Sequence, residues 1–112
     1  MKKSILFFLM LTILTLLSSE AAVYKGQRYF KKQCVACHSN GQTFVVQKDT
    51  ETWENLMKDD GIPLAKLHTE SKDPKAADSK KYFEGKKYKK SVKHLRDFFI
   101  EYSSDSGNIP AC

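Results

Sequence analysis

The chain has 112 residues and a formal charge of +6, with 19 Lys and Arg against 13 Asp and Glu. That length holds one domain with a modest core, too small to share between several units. Arg28 and Arg96 are the only arginines and no recognition motif accompanies the basic charge, which argues against nucleic acid as a partner. A lysine-rich surface fits an acidic protein face or an anionic membrane surface better.

The first segment reads as an export signal. Met1, Lys2 and Lys3 form a basic start, Ile5 to Leu17 is an almost wholly apolar run, and small residues follow at Ser18, Ser19, Ala21 and Ala22. The run is too short for a comfortable membrane span. The expected cut is after Ala21, or else after Ala22, so residues 1–21 are read as a secretory signal peptide and 22–112 as the mature domain. An uncleaved N-terminal anchor is the alternative. Export places the mature chain in the periplasm, without a stable membrane span after cleavage.

Four helices and no strand are expected in the mature chain. The first runs from about Tyr24 to Gln33, with Val23, Gly26 and Phe30 near one side. The second runs from about Thr50 to Asp59, capped by Asp49 or Thr50 and stopped by Gly61. Trp53, Leu56 and Met57 share its apolar side. Pro63 opens a short third helix, in which Leu64, Leu67 and His68 fall at i, i+3 and i+4. Residues 69–81 are polar, contain Pro74 and read as a loop. The fourth helix runs from about Ser91 to Ser103 with an apolar stripe of Val92, Leu95, Phe98, Phe99 and Tyr102. The tail behind it, with Gly107 and Pro110, reads as irregular.

One motif carries chemistry. Cys34, Cys37 and His38, in "CVACH", match the attachment signature of a c-type haem. Two intervening residues let the two thiols reach the two vinyl groups along one porphyrin edge, and the adjacent His38 reaches the iron as its proximal ligand. Zinc is a rival reading, but a structural zinc normally takes four ligands, and His68, His94 and Cys112 lack the compact spacing of a second pair. A thioredoxin-like thiol pair is another rival, and it would follow a strand. Haem c, one per chain, is therefore the expected cofactor, with its iron as the metal.

Around this motif the sequence "GQRYFKKQCVACH" resembles the start of a small monohaem class I c-type cytochrome. Gly26 and Phe30 match the glycine and aromatic positions of that family's N-terminal helix, and "LRDFFIEY", Leu95 to Tyr102, is similar to its C-terminal helix. The resemblance implies an all-α small cytochrome c fold in which the N- and C-terminal helices cross at the glycine around one covalent haem. The middle of the chain departs from the pattern. The family's usual distal methionine, between the middle helices and the last one, has no counterpart here.

The residue opposite His38 has several candidates. His68 lies in the right interval and faces the way two leucines face. Met57 offers thioether sulfur, although such a methionine more often fills core space. His94 lies on the flank of its helix's apolar stripe. A lysine, Cys112 or an open site complete the alternatives. Methionine raises the reduction potential of such an iron and a second imidazole lowers it.

Residues 80–93 contain seven lysines. They read either as a solvated face or as a docking patch for an acidic-faced redox partner, with Tyr82, Phe83 and Tyr88 packing as core or rim. Cys112 is the odd thiol, free or paired outside the chain. With one haem and no catalytic domain, the leading function is a periplasmic carrier that shuttles single electrons between respiratory partners, not an enzyme. The alternatives are a ligand-binding or sensing haem protein with an open sixth site, and the cytochrome subunit of a periplasmic enzyme, for example a sulfur-oxidising one.

Overall fold

The computed structural model describes residues 20–112, and in that range every regular element is helical. The apolar run and most of the segment read as a signal peptide lie outside the described residues. No helix among those described is long and apolar enough to cross a membrane.

Helix α1 covers residues 20–33 and buries Gly26 and Phe30, two of the three residues expected on its inner side, with Val23 half-buried. Its chain breaks at Cys34 and resumes as a single turn, α2 (Val35–His38), which ends at Ser39 with φ 62°. Asn40 then caps α3 (Gly41–Phe44), its side chain accepting from the Thr43 N–H at 2.9 Å. A 3₁₀ turn, Val45–Gln47, follows and buries Val45.

Helix α4 (Thr50–Thr69) is two limbs joined by a sharp turn. Asp49 caps the first limb by accepting from the Thr52 N–H at 2.8 Å. Lys58 leaves helical geometry, and Asp59, Asp60 and Gly61 follow with φ of 51°, 56° and 71°. Asp tolerates this left-handed region better than most residues, and Gly adopts it freely. Pro63 sits near the start of the second limb, where its missing N–H costs least. The break and restart expected around Gly61 and Pro63 are therefore present.

Of the loop expected over 69–81, only residues 70–73 are irregular. Asp73 accepts from the Lys75 N–H at 2.9 Å and caps a 3₁₀ turn, Pro74–Ala76, which leads into α5 (Ala77–Glu84). The polar residues are the outer face of a helix whose inner face carries Tyr82 and Phe83. Likewise α6 (Lys86–Glu101) starts five residues before the expected Ser91. Lysine is a good helix former, and Tyr88 extends the stripe backward at helical spacing through Val92, Leu95 and Phe99. Gly85 separates α5 from α6.

The core is one cluster: Phe30, Val45, Trp53, Met57, Tyr88, Val92, Leu95, Phe98 and Phe99. Trp53 stacks on Phe99 with ring centroids 4.1 Å apart, and its Nε1–H donates to the Val45 carbonyl at 3.0 Å. The terminal helices α1 and α6 cross at Gly26. A Cβ there would lie 2.6 Å from the Phe98 Cβ and collide with the His94 carbonyl oxygen, so only glycine permits this approach. The tail after α6 is irregular, as expected, but anchored. Asp105 accepts from the Thr50 N–H and hydroxyl at 2.8 and 2.7 Å, and the Cys112 carbonyl accepts from the Gln42 N–H at 2.9 Å.

Candidate functional site

The CVACH segment folds as one turn because the Cys34 carbonyl accepts from both the Cys37 and the His38 N–H, at 3.2 and 2.9 Å. Positions i, i+3 and i+4 of a helical turn share a face, so Cys34, Cys37 and His38 point the same way. That face lines a cavity of about 410 Å³, within the range of small-molecule and cofactor pockets. Phe44, Trp53, Leu56, Leu64, Leu67, Phe83 and Phe99 supply its apolar wall. Leu67 lines it while 62% exposed, so an occupant of the cavity would cover an otherwise uncovered leucine.

His68 enters the same cavity from the second limb of α4. Its ring centroid lies 5.8 Å from that of His38, with the planes at 82°. Each ring is braced by an aromatic: His38 stacks on Phe44 at 4.4 Å and His68 on Phe83 at 4.1 Å. His68 Nδ1 lies 2.8 Å from the Leu64 carbonyl oxygen. A carbonyl only accepts, so this bond keeps the proton on Nδ1 and leaves the Nε2 lone pair free, which is how metal-binding imidazoles are commonly oriented.

The electrostatics favour neutral imidazole at His38. Burial, then the neighbouring His68 and Lys48, hold its pKa below the ordinary histidine value, and the neutral ring is the ligating form. Burial pushes the Cys34 thiol up to about 12, with Cys37 adding to the effect. Thiols that act as redox nucleophiles have lowered values, and no strand precedes the motif among the described residues. Both points weigh against a thioredoxin-like pair. Among the described residues, no three His, Cys, Asp or Glu side chains converge as a bare metal ion would need.

The residues present fit a haem. A porphyrin brings four equatorial donors of its own, so the protein need supply only axial ones. His38 and His68 line one cavity with ring centroids 5.8 Å apart, so both could offer nitrogens to one group bound there. Cys34 and Cys37 stand on the His38 side, as thioether attachment requires.

The other candidates lie elsewhere. Met57 is 2% exposed and belongs to the core, outside the cavity lining. His94 stacks on Tyr29 with centroids 6.2 Å apart, also outside the cavity, and its buried Nδ1 has no hydrogen-bond partner. Cys112 packs against Gly41, its Sγ 3.2 Å from where a Cβ would stand. Tyr88 is core and Phe83 is cavity wall, while Lys81, Lys86, Lys87, Lys89, Lys90 and Lys93 are exposed. Phe44 and Lys48 also line the cavity. The apolar "FVV" cluster shortly after His38 was the available signal for Phe44; Lys48, whose Nζ lies 5.6 Å from the Phe44 ring centroid, had none.

Compared with known proteins, the chain matches no family model, no curated protein and no solved structure.

Proposed function

We propose that this protein is a single-haem c-type cytochrome that carries electrons one at a time between redox proteins outside the cytoplasm. The observation that carries this reading is the pairing across one apolar cavity. Cys34, Cys37 and His38 share one face of a helical turn, and 5.8 Å from the His38 ring stands His68, its Nδ1 tied back to Leu64.

Haem c would supply a reversible one-electron change at its iron. Cys34 and Cys37 would hold it through thioethers, and His38 and His68 would supply imidazole nitrogens to its iron. Phe44 and Phe83 keep the two rings from turning, and the Leu64 carbonyl fixes the His68 proton on the nitrogen away from the cavity. The apolar wall would shield a bound haem from part of the solvent, which limits solvent rearrangement when the charge changes. Two imidazoles set a lower potential than a methionine and an imidazole. The exposed lysines of α6 sit on the helix that follows Phe83 and would guide an acidic-faced partner toward the cavity edge, so electron exchange with such a partner slows as salt rises.

The test is to express the full chain in a host that matures c-type haem and to record the intact mass after denaturation. The expected product carries one haem that denaturant does not remove, with a low-spin ferric spectrum. A chain of unmodified mass with both motif thiols free overturns the reading.

A further inference from the structure

The limb that carries His68 is sparsely buried. Between residues 62 and 69 no side chain is fully buried, and Ile62 and Leu67 are 51% and 62% exposed. A helical segment this short is not stable by itself in water, so tertiary contacts hold it. It also joins the first limb through three consecutive left-handed residues, Asp59, Asp60 and Gly61, which interrupt the helical hydrogen bonds. Segments with few buried contacts are the ones that open locally, and a left-handed turn is a natural place for the angles to change.

A single buried hydrogen bond closes this junction. The Tyr88 hydroxyl, from the middle of the core, donates to the Gly61 carbonyl at 2.6 Å. Gly61 has no space for a side chain, since a Cβ would meet the Tyr88 hydroxyl and lie 2.5 Å from Val92 Cγ2. Burial raises the Tyr88 pKa well above the usual tyrosine value, so the hydroxyl remains a donor at any physiological pH.

We propose that Tyr88 is a positioning residue that clamps the Gly61 carbonyl and so holds the His68 limb against the cavity, making the Lys58–Gly61 turn a hinge on which His68 can leave. This rests on the reading of His68 as the axial donor opposite His38. It adds a property: the sixth position is displaceable, so the same chain carries electrons with the limb closed and admits a small neutral haem ligand with the limb open. Leu64 and Ala65 also pack against the core and Phe83 stacks on His68, but these contacts are apolar and can slide, whereas the Tyr88 bond ties one backbone atom of the junction to a fixed point of the core.

The experiment compares the wild-type full chain with Tyr88→Phe, which keeps the ring and removes only the hydroxyl. Losing one net buried hydrogen bond shifts an opening equilibrium by about two- to tenfold. Amide hydrogen exchange across residues 62–70 should accelerate by that factor, while α1 and the middle of α6 stay as protected as before. The ferrous protein should bind carbon monoxide faster by a similar factor. Exchange that is unchanged, or that rises evenly along the chain, overturns the clamp. Local exchange that rises while carbon monoxide binding does not overturns the link from hinge to sixth site. The exchange arm needs no haem, so a chain purified without covalent haem would refute the cytochrome reading and still decide the clamp.

Discussion

The two histidines that face the cavity are held by opposite means. His38 belongs to a single turn closed by two backbone hydrogen bonds from the Cys34 carbonyl, with both cysteines beside it. His68 rides on a limb reached through a left-handed turn and tied to the core by a tyrosine hydrogen bond. The first is specified locally, within five residues. The second depends on a residue twenty places further along and on how α6 packs against α4. A site can thus have one wall set by local sequence and another set by tertiary contacts, and the second is the wall that can move.

The comparison can be broken most severely at its local side. On the proposed reading, replacing Cys34 and Cys37 together by alanine should abolish covalent haem attachment, seen as loss of the haem mass from the denatured chain. On the other wall, His68→Ala should leave attachment intact and remove the low-spin ferric spectrum; an unchanged spectrum would show that another residue faces His38. Gly26→Val tests the frame both walls share. The added carbons meet Phe98 and the His94 carbonyl, so overpacking should cost about 3 kcal/mol or prevent folding, measured by denaturant unfolding.

The smallest effect is expected at the remote end of α4. Hydrogen bonds from Thr50 and from Thr52 hold the Asp105 and Asp49 carboxyls below the ordinary carboxylate value of 3.8. A depressed carboxyl contributes stability above its unfolded value, and that contribution is lost as pH falls through the folded value. Asp105→Ala should therefore melt slightly earlier than wild type at pH 6. The gap should narrow below about pH 4, as thermal melts would show.

Much of this was legible in residue order. The i, i+3, i+4 spacing of Cys34, Cys37 and His38 needs only one turn to become a shared face. Helical spacing put Gly26 and Phe30 on one side of α1; that a second helix crosses there came from the resemblance, and the close approach at Gly26 bears it out. Helix α5 was not legible: ADSKKYFE is polar enough to pass for a loop, and only the packing of Tyr82 and Phe83 against α4 and α6 shows which side is inner. The early start of α6 was hidden for a similar reason, since its first turns are mostly lysine and only Tyr88 turns inward.

Local chemistry therefore determined the CVACH turn, the caps at Asp49 and Asn40 and the break near Gly61, because each depends on bonds within a few residues. Tertiary structure alone decided that His68, and neither Met57 nor His94, shares the cavity with His38. Helical spacing tells which residues point alike on one helix. Which helix they then face is decided by the packing of whole elements, here the folding back of the second limb of α4 onto α5 and α6.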